Sequence, residues 1–272
     1  MCGIVGYVGT KNIPGRAHFA LDVVLEGLRR LEYRGYDSAG IAVLDEGKIS
    51  FRKKAGKVAA LDEVIAADPL PQAVVGIGHT RWATHGGPTD ANAHPHVVDG
   101  GKLAVVHNGI IENFAELKTE LLEKGYTFKS ETDTEVAATL LSDFVHGAAG
   151  GDLTEAMRLT CNRLEGAFTL LALHTDFPDR IVAARRNSPL VIGLGEGENF
   201  LGSDVSGFID YTKNAVEMAN DQIVTITATS YDIIDFAGNK AQGKPFKVEW
   251  DAAAAEKGGF SSFMEKEIHD QP

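Results

Sequence analysis

The chain of 272 residues is poor in cysteine and in basic charge, and it has no long apolar run. Its two thiols, Cys2 and Cys161, are too few for the stapled framework of a small secreted domain. Lys and Arg number 26 against 38 Asp and Glu, a formal charge of −12. That balance speaks against a nucleic-acid binder, whose affinity rests on cations meeting phosphates, and against an anionic membrane surface. No segment approaches the roughly 20 apolar residues of a membrane-spanning helix. The N-terminus also lacks the basic patch, apolar core and small-residue cleavage site of a secretory signal, so a cytoplasmic protein with reduced thiols is expected. What is present is globular: 44% hydrophobic and 24% charged residues, enough for one large domain or two small ones. One of the two cysteines stands directly behind Met1.

Periodicity supplies the elements. Cys2 to Gly9 mixes β-branched residues with glycine and reads as a buried strand that something approaches closely. After a loop containing Pro14, the spacing of Phe19, Val23, Val24, Leu28 and Leu31 predicts an amphipathic helix to about Leu31. Short strands are expected at Ile41–Leu44, Ile49–Arg52, Val74–His79 and Leu103–His107, with a short helix at Leu61–Ala67 and a long loop from Trp82 to His96. A second helix is expected over Ile111–Lys124, ended by Gly125. Thr132-Asp133-Thr134-Glu135 has capping-box spacing and predicts a third over Asp133–Val145, and Asp152 is placed to cap a fourth. The rest to Phe236 reads as strands at Ala167–His174, Ile181–Ala184, Leu190–Leu194, Ile223–Thr227 and Tyr231–Phe236. Helices clustered among strands without strict alternation define an α+β class. From Ala241 the composition turns to Gly, Ala and charge, which reads as a tail or linker, so the domain expected is 2–240 with an extension over 241–272.

Loss of the initiator methionine, favoured before a small side chain, leaves Cys2 with a thiol and a free α-amine. The amine titrates near 8 and the thiol near 8.5, so one residue holds a nucleophile and a base for it. A small buried residue in a first strand explains Cys2 equally well on its own.

Five segments in one order alter that balance: MCGIVG at the start, LEYRGYDSAG at Leu31–Gly40, GHTRWATHG at Gly78–Gly86, HNGIIENF at His107–Phe114 and SETDTE at Ser130–Glu135. Together with SPLVIGLGEGENF at Ser188–Phe200 and MEKEIHDQP at Met264–Pro272, they resemble the glutaminase domain of the glutamine–fructose-6-phosphate aminotransferases over nearly the whole chain. Amidophosphoribosyltransferase glutaminases look similar at the nucleophile and the HNG element but typically lack the RWATHG and YRGYDS wording. The resemblance implies the four-layer αββα sandwich of N-terminal-nucleophile hydrolases, no cofactor, L-glutamine as substrate, and a sugar-phosphate isomerase half in a full-length enzyme assembled from several copies. It makes Cys2 the nucleophile on the glutamine side-chain amide, with the Asn108 amide and the Gly109 N–H as donors to the developing oxyanion. Without it, Asn-Gly is also the pair that favours a tight hairpin turn.

A zwitterionic amino acid needs one group of each sign, which Arg81 and Asp133 can supply through a carboxylate clamp and an ammonium acceptor. By themselves, Arg81 also reads as a solvated loop cation and Asp133 as a first-turn acid favoured by the helix dipole. Thr84 and His85 resemble further hydrogen-bonding residues of that pocket, and Trp82 the residue that gates the exit of ammonia. Arg34, Gly35 and Asp37 match the motif beside the nucleophile as support. The readings left beside this one are the glutaminase domain of another class II amidotransferase and a non-catalytic glutamine-binding module. His79, His85, His94, His96 and His107 have no second cysteine or carboxylate cluster at ligand spacing, so no metal is expected. Gly193 to Gly197 is a glycine run without the dinucleotide register, and Cys161 reads as a buried small hydrophobe.

Overall fold

A computed structural model describes residues 2–10 and 19–249. In chain order its elements are β1 (Gly3–Gly9), α1 (Ala20–Leu31), β2 (Ser38–Asp45), β3 (Lys48–Ala55), α2 (Val58–Ala67), β4 (Val75–Arg81), β5 (His96–Val98), β6 (Leu103–Ile111), α3 (Phe114–Glu123), α4 (Asp133–His146), α5 (Leu153–Arg163), β7 (Gly166–His174), β8 (Arg180–Arg186), β9 (Val191–Leu194), β10 (Glu198–Gly202), β11 (Asn214–Glu217), β12 (Gln222–Thr227), β13 (Tyr231–Asp235) and β14 (Lys244–Lys247). The strands form an antiparallel sheet of eight, in the order β14-β11-β9-β10-β1-β4-β2-β3, and one of six, β13-β12-β8-β7-β6-β5.

Alternation along each strand decides the layers, because successive side chains leave opposite faces of a sheet. Ile4, Val8, Ala42, Leu44 and Ile77 of the large sheet meet Ala104, Val106, Leu171, Leu173 and Val224 of the small one in a core between the sheets. Their neighbours Val5, Tyr7, Ile41 and Val43 face outward onto Val24 and Leu28 of α1 and Leu61 of α2. On the far side, Val105, Leu170, Ala172 and Val182 carry α3, α4 and α5. The result is helix, sheet, sheet, helix: the αββα sandwich of the N-terminal-nucleophile class, as the motifs imply. Each fully buried Leu, Val or Ile contributes about 1.5–3 kcal/mol. Close approach of α1 to the large sheet depends on Gly78, where a Cβ would come within 2.4 Å of Val24.

Several local expectations meet the structure directly. Gly125, at φ +91°, follows α3, and its N–H reaches the Leu122 carbonyl. The Asp152 carboxylate accepts from Thr154 N and Glu155 N at the start of α5. Thr132 accepts from Glu135 N at 3.2 Å, but the Glu135 carboxylate turns to Lys129 N and Ser130 N, so only half of the capping box forms. Others differ. Strand β6 runs on through Asn108, Gly109 and Ile110, which pair with Thr169, Phe168 and Ala167, so Asn-Gly lies within a ladder and α3 starts at Phe114. Strands β10 and β11 were not expected; β10 is a buried neighbour of β1. Beyond Ala241, Lys244–Lys247 forms an edge strand on β11 and Val248 is buried. The Pro14 loop and the MEKEIHDQP segment lie outside the described residues.

Candidate active site

Cys2 sits at the leading end of β1, a central strand flanked by β4 and β10. Strand pairing fixes it: Gly3 opposes Thr80, and Gly3 N donates to the Thr80 hydroxyl at 3.2 Å. The next peptide is held from the other side, where Ile4 N reaches Ser203 Oγ and Ser203 N reaches the Ile4 carbonyl. The backbone that carries the sulfur is therefore held from both sides. Trp82 N donates to Cys2 Sγ at 3.2 Å, and Asn108 Nδ2 donates to the Cys2 carbonyl at 2.8 Å. Burial pushes the Cys2 thiol pKa up, while the Trp82 N–H and the charge of Arg81 work against that rise.

A cavity of about 360 Å³ opens beside the sulfur. Of the residues expected at the site, Cys2, Trp82, Thr84, Asn108 and Gly109 line it. Gly109 has φ +125°, and a Cβ there would stand 2.0 Å from the Ala167 carbonyl oxygen, so both backbone angle and neighbour require glycine. Trp82 is half exposed and meets Tyr36 edge to face, with ring centres 5.7 Å apart.

The other three expected residues form an adjoining polar group outside the lining of this cavity. Arg81 is buried, and its guanidinium donates to the carbonyls of Gly87 (3.0 Å), Gly86 (3.2 Å) and His85. His85 Nδ1 lies 3.8 Å from Asp133 Oδ2, and that carboxylate oxygen accepts from Ile111 N at 2.9 Å. Asp133 thus ties the start of α4 to the end of β6, the strand that carries Asn108.

Residues the sequence reading left in support, or missed, complete the walls. Arg34 lines the cavity; Asp37 accepts from Ala83 N at 2.6 Å and donates its own N–H to the Arg81 carbonyl, pinning the turn that presents Trp82. Asn187, Ser188 and Pro189 form a further wall, and Asn187 holds φ +55° while its backbone N–H donates to Asn220 Oδ1 and its side-chain oxygen accepts from Asn220 Nδ2. SPLVIG stands among the motifs without a role, and no periodicity could have assigned Ser188 and Pro189 to a wall. Behind Asn108 lies a layer of buried histidines, His79, His94, His96 and His107, with the His79 and His94 rings 4.1 Å apart. Burial holds all four below the ordinary imidazole range, His79 at about 3, so they are uncharged. Among the described residues no three His, Cys, Asp or Glu side chains converge as metal ligands, and no helix is long and apolar enough to cross a membrane.

With a thiol at a strand end between two facing sheets, and amide donors from the second sheet beside it, the geometry is that of an amidotransferase of the N-terminal-nucleophile type. Residues 79–210 match the family described as a glutamine amidotransferase domain, and the chain carries that glutaminase domain. It is 77% identical over all 272 residues to a glutamine–fructose-6-phosphate aminotransferase (isomerizing) of Corynebacterium diphtheriae. The enzyme of that name from Mycobacterium tuberculosis is 52% identical over 280 aligned positions, again covering all of this chain. The chain spans 44% of the length of each of these relatives. Among solved structures it is similar to the glutamine phosphoribosylpyrophosphate amidotransferase of B. subtilis, with a TM-score of 0.71 and 25% identity, over 88% of this chain and 50% of that one.

Proposed function

We propose that this chain hydrolyses L-glutamine to glutamate and ammonia. In the full-length protein, the ammonia passes to fructose 6-phosphate in a sugar-phosphate isomerase half to give glucosamine 6-phosphate. The observation that carries this reading is the Cys2 sulfur at the mouth of a cavity, with the Asn108 amide hydrogen-bonded to its own residue and the Gly109 N–H next in the strand.

Because burial holds the thiol protonated, it needs a base. With Met1 removed, the α-amine of Cys2 takes the proton, directly or through a water. The sulfur attacks the side-chain amide carbon, and the carbonyl oxygen becomes an oxyanion that Asn108 Nδ2 and Gly109 N–H stabilise. The protonated amine then delivers its proton to the leaving nitrogen, ammonia departs, and a γ-glutamyl thioester remains. Water adds to the thioester, the carbon–sulfur bond breaks, and glutamate leaves with the thiol restored. Removing a single oxyanion donor typically costs about 2.7–4 kcal/mol of transition-state stabilisation. Arg81 uses three of its five N–H groups on the 85–87 carbonyls, leaving two for the substrate α-carboxylate. Asp133 receives the α-ammonium, Thr84 and His85 add hydrogen bonds, and Trp82 governs the way out for ammonia. The glutaminase domain extends through the β14 edge strand, a linker follows, and the complete enzyme works in the cytoplasm as an assembly of copies.

The test uses protein whose N-terminal residue is established by mass spectrometry. Protein starting at Cys2 should release glutamate from glutamine, and Cys2→Ala should not. Iodoacetamide should modify Cys2 and spare the buried Cys161 unless the chain is unfolded, and glutamine should protect Cys2. Absence of turnover in correctly processed protein, with Cys2 reactive, would sink the hydrolase reading and leave a glutamine-binding module.

A further inference from the structure

We infer that His79 is a positioning residue that fixes which end of the Asn108 side-chain amide faces the reacting carbonyl; this rests on the glutaminase reading above. An asparagine amide has an accepting end and a donating end of nearly equal shape, so its orientation is set only by its neighbours. One end of Asn108 lies 2.8 Å from the Cys2 carbonyl oxygen. That oxygen has no hydrogen to give, so the amide nitrogen must face it. The amide oxygen is then turned to His79 Nε2, 3.0 Å away. An amide oxygen only accepts, so Nε2 must carry the imidazole hydrogen.

The opposite tautomer, with the hydrogen on Nδ1, would turn the amide over. Two oxygens would then stand at hydrogen-bond distance, and an acceptor would face the forming oxyanion. The surroundings hold the ring in place. His79 lies on β4, paired with Ile4 on one side and Gly40 on the other, so its backbone is held in both directions. Its ring is fully buried against His94, and no solvent donor can replace it. The ring also stays neutral, because the site behind Asn108 gives an imidazolium no solvation. His79 does not line the cavity, so it acts only through Asn108. A histidine that looked like an ordinary buried strand residue is thus the element that makes Asn108 a donor.

The experiment measures glutamine turnover, first in the wild-type protein starting at Cys2. No glutamate release there would overturn the glutaminase reading, and this proposal with it. With wild-type turnover in hand, His79→Leu should lower kcat about 100- to 1,000-fold, the scale of a lost oxyanion donor, while KM stays within about threefold. His79→Gln can present an amide N–H where Nε2–H stood and should keep kcat within about fivefold of wild type. In an Asn108→Ala background, neither substitution should lower kcat further, because the residue it acts through is gone. A γ-aldehyde analogue of glutamine, which forms a tetrahedral adduct on the thiol, should lose affinity for His79→Leu by the same factor as kcat, whereas product glutamate should not. A His79→Leu protein with wild-type iodoacetamide reactivity and undiminished kcat would overturn the proposal, as would losses that multiply in the Asn108→Ala background. Should His79→Leu fail to fold, His79→Gln alone and with Asn108→Ala decides. A His79→Gln enzyme as poor as Asn108→Ala, or losses that multiply between them, would refute the role.

Discussion

Replacing Gly109 by alanine adds one methyl group at the point where β6 passes the active cavity, and the structure sets its cost. At φ +125° an L-residue is strained, by about 1–2 kcal/mol on the scale of left-handed backbone. The new Cβ would also begin 2.0 Å from the Ala167 carbonyl oxygen, where ordinary contact is about 3.3 Å. Strand β6 or β7 must therefore give way by about 1 Å, an overpacking cost of about 1–3 kcal/mol. The sum is about 2–5 kcal/mol, or a fall of about 5–15 °C in Tm for a domain of this size. The same displacement moves the 109 N–H away from the oxyanion, and a misplacement of about 1 Å costs on the order of 100-fold in rate. Gly47→Ala serves as the control, since Gly47 has φ +73° with open space around it and should lose about 1 kcal/mol with no change in turnover. Thermal denaturation and glutaminase kcat measured on both variants check the reasoning. A Gly109→Ala protein as stable as Gly47→Ala and as active as wild type would refute it.

The buried histidines give the fold a pH dependence with a definite sign. His79, His94, His96 and His107 are held below their ordinary range in the fold but titrate near 6.5 when unfolded, so unfolding takes up protons below that value. Stability is full above about pH 6.5 and falls as pH drops toward the folded values, by about 1.4 kcal/mol per pH unit for each group once its unfolded form is protonated. Urea midpoints that stay constant between pH 7 and 5.5 would contradict this. Asn92→Ala should raise the KM for glutamine about 10-fold with little change in kcat, on the scale of about 1.4 kcal/mol for a lost buried hydrogen-bond network. The Asn92 amide donates to the Gly87 carbonyl that also receives Arg81, and joins Glu131 by two hydrogen bonds just before Asp133. A kcat loss at unchanged KM would show that this clamp does not serve substrate binding.

Signals that act within one turn or one strand were readable: the repeat that buries α1, the Asp152 cap and the alternation along β2, β4 and β7. Signals that depend on a neighbour distant in sequence were not. Asn108-Gly109 reads locally as a hairpin turn, and only pairing with Phe168 and Thr169 draws it into a strand. Strand β10 hid because Glu198 is fully buried there beside Tyr7, whose hydroxyl donates to it, and no composition rule expects a buried carboxylate. The motifs gathered Cys2, Asn108 and Gly109, which line one cavity, whereas Asn187, Ser188 and Pro189 reach it only because β8 returns beside β7. His79 was dismissed with the other histidines, since its role lies in which of two nitrogens carries a hydrogen, and that is set by a carbonyl 77 positions away in the chain.

The place of β1 has a consequence for how the protein is made. Strand β1 needs β4 on one side and β10, ending at Gly202 and made much later, on the other. At about 5–20 residues per second, the second partner arrives about 10–40 s after the first strand. Throughout that interval the N-terminus has no completed sheet around it and stays open to a methionine-removing peptidase. On the proposed reading, removal of Met1 can thus finish while the cavity beside Cys2 does not yet exist, so the thiol and its amine would be exposed before there is a pocket in which to use them.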